Sequence, residues 1–233
     1  MKIITNTIVK NGMPFIPYVL RAVEPFVDRM IITVSEKSTD GTAEEVARFA
    51  LENSKIYMDR ENVSNPGELT QIRQHQIELS TGADWIWFLD DDDFWTSDQI
   101  KGCIKAMQQA GDDIDAFSVN PYQVLDKDHE DARWINKKYF TKFFKNVDIN
   151  YRGAWPRDLI YKGDELLYHK SNPRNPIVPF KFWHLAAVKG YSFRKNDLLN
   201  FNDLEGKLIK LTTKLPEEIV ELLEQAYRAK KSG

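Results

Sequence analysis

Residues 85 to 95 read WIWFLDDDDFW, four consecutive aspartates set between large apolar side chains. Ionised carboxylates that close repel one another by roughly 1 to 4 kcal/mol per pair near a protein surface. A fold that keeps this run must therefore supply opposing positive charge. The apolar WIWFL leading straight into the charges marks a buried strand that ends in them. An idle, solvated acidic turn is the other reading, and it gives no reason for that lead-in.

The chain before this point alternates between two periodicities. KIITNTIV, DRMIITVS, SKIYMD and DWIWFL are short apolar runs that read as strands. Between them, PFIPYVLRAVEPF reads as a helix opened by prolines, and GTAEEVARFALENS as a second with Ala47, Ala50 and Leu51 on one face. NPGELTQIRQHQIELSTG carries helix-start chemistry, with Asn65 as cap, Pro66 at the first position and Glu68 three residues after the cap. Strands alternating with helices of this length predict an α/β fold with a mostly parallel sheet covered on both sides. Ligands of such sheets bind beyond the carboxyl ends of the strands, which is where the aspartates fall. If strand geometry persists through them, Asp90 and Asp92 point one way and Asp91 and Asp93 the other.

A hard divalent cation with oxygen ligands, Mg2+ or Mn2+, is the natural neutraliser for such a group. A calcium loop would need glycine at its sixth position, where Trp95 stands. No GxGxxG or GxxxxGK[ST] occurs, so the dinucleotide and P-loop phosphate cradles are missing. At 233 residues, 42% hydrophobic and 29% charged, the chain has the composition of a soluble globular protein. Its formal net charge of -3 gives no overall pull toward nucleic acid or anionic membrane. The N-terminus lacks the features of a secretory signal, no run approaches a membrane span, and the single cysteine, Cys103, reads as a helical core thiol in a reducing compartment. A cytoplasmic location is expected.

Three segments, in order, resemble the family 2 glycosyltransferases of GT-A fold. FLDDDDFW is similar to that family's D-x-D segment, TIVKNG (7 to 12) to its first-strand motif, and VSEKSTDGTAEEVARFA (34 to 50) to its VDDGSTDGT turn and following helix. The resemblance implies a Rossmann-like GT-A domain over 1–233. Its nucleotide-sugar and metal-binding half would span 1–110, an acceptor-binding and catalytic half 111–200, and a helical tail 201–233. It implies that Thr7 and Glu36 line the nucleoside pocket, that Arg73 contacts the nucleotide, and that Asp90, Asp91 and Asp92 face the diphosphate. Asp90 and Asp92 would hold the metal, with His184 of FKFWHL as the C-terminal histidine ligand. The implied donor is a nucleoside-diphosphate sugar, with uridine the family's commonest base. Where the family has two aspartates, this chain has Ser35 and Glu36, and Lys37 replaces a glycine.

The second half is less regular. From Arg133 to Arg174 there are ten Lys or Arg against four Asp or Glu, interleaved with nine aromatic residues. This is either a surface for sugar rings or a polyanionic acceptor such as DNA, or a mixed surface with aromatic residues packed beneath it. Within it, YRGAWPRD resembles the family's glycine loop and catalytic acid. By that match Gly153 belongs to the loop, Trp155 lies near sugar or acceptor, and Asp158 is the general base. Asp164 and Glu165 of KGDE are rivals for that role or a plain turn. The tail LPEEIVELLEQAYRAKK is an amphipathic helix with Ile219, Leu222, Leu223, Ala226 and Tyr227 in one stripe, suited to packing on the domain.

The mechanism implied is an inverting displacement of a nucleoside diphosphate by an acceptor hydroxyl, with the acceptor a saccharide, lipid-linked sugar, protein or nucleic acid. A nucleotidyltransferase shares the metal chemistry but lacks its glycine-rich phosphate loop here. A non-catalytic nucleotide-sugar or metal-binding module would keep every binding motif and lose only the base.

Overall fold

The computed structural model describes residues 1–62, 66–124, 128–131, 139–153, 159–167, 172–185, 208–210 and 214–231. The first half winds as the periodicity predicts: β1 (Ile3–Val9), α1 (Ile16–Val23), β2 (Arg29–Ser35), α2 (Thr42–Glu52), β3 (Ile56–Glu61), α3 (Pro66–Leu79) and β4 (Trp85–Phe88). Then follow β5 (Asp93–Phe94), α4 (Ser97–Gln109), β6 (Ala116–Gln123), β7 (His129–Asp131), β8 (Phe140–Lys145), β9 (Ile149–Arg152), β10 (Leu159–Lys162), β11 (Glu165–Leu166), β12 (Ile177–His184), β13 (Leu208–Lys210) and α5 (Glu217–Lys231). Asn65, the predicted cap of α3, lies outside the described residues.

Eight strands form one sheet in the order β3-β2-β1-β4-β8-β6-β12-β5. The four strands from β3 to β4 run parallel. β8 enters antiparallel to both its neighbours, β4 and β6. β12 runs parallel to β6, and β5 closes the edge antiparallel to β12. β9, β10 and β11 make a separate antiparallel sheet, and β7 pairs with β13.

The apolar run before the aspartates is continuous because β4 is buried on both faces, as central strands of covered sheets are. Trp85 and Trp87 enter a core shared with Val19, Leu20, Val46 and Cys103, while Ile86 and Phe88 enter a second core with Ile77, Phe144 and Ile160. Burial pushes the Cys103 thiol up to about 12, so it packs as an inert apolar group. Ile219, Leu222 and Leu223 of α5 are buried in the first core, so this tail helix packs on the sheet. α2 departs from the expected face. It buries Thr42, Ala43, Val46 and Phe49, and Leu51 is 89% exposed. The helix starts at Thr42, and the spacing of Ala43, Val46 and Phe49 from that start points the larger Val and Phe inward.

Away from the aspartates, a second charged knot ties β6 to the 172–176 segment. Asp115 is 1% exposed and accepts from Arg174 and, at 2.7 Å, from Lys162. Hydrogen bonding from Arg174 outweighs burial and, with Lys162 adding to it, holds the Asp115 carboxyl below its usual value. A depressed folded-state value means stabilisation that is fully present above the unfolded-state value of about 4 and lost as pH falls through the folded one. Asp115→Asn is expected to cost about 2 kcal/mol near neutral pH, less than a fully sealed pair because both cations are partly solvated. The gap from wild type should narrow as pH drops below about 4, which urea unfolding across that range measures.

Candidate functional site

β4 ends at Phe88, and the chain does not stay extended. Leu89 still donates to the Asn6 carbonyl at 3.1 Å, but Asp93 then donates to the Asp90 carbonyl at 3.1 Å, closing a turn over Asp91 and Asp92. The alternation expected of four strand residues is therefore replaced by a turn. Asp90 and Asp93, three apart, converge on one point. From that turn the chain enters β5 at the far edge of the sheet, where Asp93 stands opposite His184 of β12. The Leu185 N–H donates to the Asp92 carbonyl at 2.9 Å, fixing the loop to the carboxyl end of β12.

Because β8 is antiparallel, its first residues lie at the same edge of the sheet as the last residues of β4, β6 and β12. This brings Lys142 to the aspartates. Its ammonium donates to Asp90 Oδ2 at 2.6 Å and to Asp93 Oδ2. From the other side Arg73 of α3 donates to Asp90 Oδ1 at 2.8 Å and to the Asn6 carbonyl at 2.7 Å, its guanidinium 4.6 Å from the Phe88 ring centroid. These two cations answer the repulsion posed by the sequence.

His184 Nδ1 lies 2.9 Å from Asp93 Oδ1 and 3.5 Å from Asp92 Oδ1. Burial opposes charge on the imidazole, but Asp92 and Asp93 outweigh it and raise its pKa. Burial likewise opposes charge on Lys142, and Asp90 and Asp93 overcome it, pushing the ammonium up to about 12. For Asp90 burial is outweighed by Lys142 and Arg73, and its carboxyl falls well below the usual range. Asp93, fully buried, is raised by burial and by neighbouring Asp90 despite its cationic partner.

Asp92, Asp93 and His184 each place a ligand atom within 4.8 Å of one another. Two carboxylates and an imidazole are a donor set that fits Mn2+ or Mg2+. Asp90, read from the sequence as a ligand beside Asp92, accepts from Arg73 with one oxygen and from Lys142 with the other, and the carboxylate grouped with Asp92 and His184 is that of Asp93. Asp91 is 5% exposed and packs against the turn before α1, where a Cβ on Gly12 would lie 2.8 Å from its Oδ2 and 2.5 Å from Val9. Glycine at position 12 lets that backbone approach.

Thr7 is fully buried within β1, where its carbonyl accepts from Gln76 at 2.7 Å. Glu36 is exposed, one residue beyond β2 at the carboxyl edge. The STDGT turn that follows fastens the loop after β1. Asp40 accepts from the Met13 N–H at 2.9 Å, Thr42 from the Gly12 N–H at 2.7 Å, and Asn11 Oδ1 from the Thr39 N–H at 2.9 Å. These loops form one hydrogen-bonded rim beside the aspartates.

Gly153 follows β9 with φ of 102°, a conformation that costs glycine little. Trp155 and Asp158 lie outside the described residues. Asp164 is 98% exposed in a turn closed by Gly163 and pairs with Arg152 at 3.0 Å, and Glu165 accepts from Asn172. Within the described part of the basic stretch, Lys142, Arg152, Lys162 and Arg174 are all engaged by the protein's own carboxylates. Phe143 and Phe144 are buried beneath. Lys142 was not among the residues singled out from sequence. Its signal is a lone lysine inside the aromatic run YFTKFF, a strand pattern that demands a buried carboxylate partner.

The mostly parallel α/β sheet, with acidic residues, a lysine and a histidine gathered at its carboxyl edge, has the GT-A fold. The Glycosyl transferase family 2 profile matches residues 8–162. The chain belongs to that family. No curated protein matches its sequence. Among solved structures, S. aureus TarS aligns with a TM-score of 0.53 at 14% identity, covering 80% of this chain and 37% of that one. TarS 1-349 in complex with UDP aligns at 0.54 and 14% identity, covering 81% of this chain and 62% of that one. The chain thus spans less than two thirds of these relatives, and the likeness is one of fold. Among the described residues no helix is long and apolar enough to cross a membrane.

Proposed function

We propose that the protein is a metal-dependent, inverting glycosyltransferase that moves a sugar from a nucleoside-diphosphate sugar, with uridine as base, to an acceptor hydroxyl. The observation that carries this reading is the meeting of Asp92, Asp93 and His184 at the carboxyl edge of the sheet, in a chain of this family. TarS, similar in fold, has been solved with UDP, which supports uridine.

Asp92 and His184 would hold a divalent cation, which would supply Lewis-acid neutralisation of a diphosphate's negative charge. The rest falls to the chain. The rim formed by residues 11–13 and 38–42, with Glu36 beside it, is where the nucleoside would lie. Asp90, fixed by Arg73 and Lys142, holds the turn that presents Asp92. Asp158 takes the acceptor proton as general base, and attack from the face opposite the leaving diphosphate inverts the anomeric carbon. Gly153 and Trp155 belong to the acceptor side.

Calorimetry with UDP, GDP, dTDP and CDP, each with and without Mn2+, tests the reading. UDP is expected to bind in the micromolar range with Mn2+, which corresponds to about -8 kcal/mol, and at least about tenfold more weakly without it. A folded protein that takes none of the four nucleotides sinks the proposal. Anomer analysis of the product by NMR tests inversion separately.

A further inference from the structure

Lys142 is 3% exposed, and its ammonium bridges two carboxylates, Asp90 Oδ2 at 2.6 Å and Asp93 Oδ2, much as a metal ion would. The rings of Phe140 and Phe182 flank it, with centroids 5.4 and 5.3 Å from Nζ. Two aromatic rings and two carboxylates thus surround this ammonium.

The commitments follow atom by atom. Asp93 Oδ2 takes Lys142 and, at 3.3 Å, the Asp90 N–H, while Oδ1 faces His184 Nδ1 at 2.9 Å. Asp90 gives one oxygen to Arg73 and the other to Lys142. Asp93 is fully buried, whereas the Asp92 carboxylate meets only His184, at 3.5 Å, among the described ion pairs. Both carboxylates approach His184 at Nδ1, Asp93 at 2.9 Å and Asp92 at 3.5 Å, so Asp93 makes the hydrogen bond that orients the ring, as carboxylates do for metal-binding histidines.

We propose that Lys142 is the site's internal cation: a positioning residue that withdraws Asp90 and Asp93 from metal binding and leaves Asp92, with His184, to meet a divalent cation. Asp93 is then a support for His184 and not a ligand, although it lies within ligand distance of the cluster. The inference deepens the glycosyltransferase reading and rests on it only for the identity of the ligand that arrives with the metal.

Mn2+ alone, without nucleotide, is titrated into wild type, Lys142→Met and Lys142→Met/Asp93→Asn, with free Mn2+ followed by electron paramagnetic resonance. Removing a buried unit charge beside the site and releasing carboxylate oxygens is expected to tighten Mn2+ binding by at least about tenfold in Lys142→Met. The double variant restores the charge count but removes the carboxylate that orients His184, so its binding is expected to fall at least about tenfold below that of Lys142→Met. Equal, weaker or absent binding by a Lys142→Met protein with native near-UV circular dichroism overturns the proposal. Should Lys142→Met not fold, Lys142→Gln is titrated in its place with the same expectation, and binding equal to or weaker than wild type overturns the proposal. Because no nucleotide is present, the outcome is independent of the nucleotide calorimetry that tests the glycosyltransferase reading.

Discussion

Asp92→Asn is expected to lower sugar transfer, or donor hydrolysis measured as UDP release, by about a thousandfold or more while leaving the fold intact. The two halves of that expectation have separate causes. Asp90 and Asp93 are each held by a buried or nearly buried cation, so neutralising either strands a partner. Asp92 has no lysine or arginine partner among the described ion pairs, in which its contact is with His184 at 3.5 Å. Asparagine keeps its shape and its turn, because the hydrogen bond that anchors the loop uses the Asp92 backbone carbonyl and not the side chain. The stability cost is therefore about 1 kcal/mol or less, but the negative charge offered to a divalent cation is gone. A thousandfold loss corresponds to about 4 kcal/mol of transition-state stabilisation, a size in keeping with removing one electrostatic contact in a dry site. An Asp92→Asn enzyme that releases UDP within a few fold of wild type removes the turn from the chemistry.

How far the sequence carries toward this site depends on whether contacts are local. The strands β1 to β4 and the helices between them were legible because each apolar run or stripe reports its own burial, and WIWF reports burial on both faces at once. The phase of α2 was not, since Ala47, Ala50 and Leu51 make as good a stripe on paper as Ala43, Val46 and Phe49. Only the packed sheet distinguishes them. The position of the aspartates at a carboxyl edge was legible from the α/β pattern. Their directions were not, because the turn after Leu89 depends on β5 crossing to pair with β12, a contact made 91 residues away between Asp93 and His184. Lys142 was read within a basic, aromatic stretch as surface. Its burial follows from the antiparallel insertion of β8 between β4 and β6, a topological fact that no local period encodes.

Arg73→Ala is the change expected to damage the folded state most. Arg73 is 8% exposed, and its guanidinium links the Asn6 carbonyl, Gln76 and Asp90 while lying over Phe88, so one side chain joins β1, α3 and the aspartate turn. Alanine leaves the Asn6 carbonyl without that donor and one oxygen of the Asp90 carboxylate, a side chain 38% exposed, without its cation. Losing one partner of a fully buried pair costs more, but with Asp90 partly solvated the cost is about 2 to 3 kcal/mol, which for a chain of this size lowers the melting temperature by roughly 4 to 12 °C. Calorimetric unfolding measures it. Arg73→Lys separates the roles that the sequence and the geometry give this residue. A lysine keeps the charge but cannot serve Asn6 and Asp90 together with a planar fork. If Arg73 acts by holding Asp90, stability and UDP affinity fall together, and both fall less than in Arg73→Ala. If it reaches the diphosphate itself, UDP affinity falls by about tenfold or more with little change in unfolding temperature. The hydrogen bonds already made to Asn6 and Asp90 favour the first pattern, which places Arg73 behind the donor site as its support.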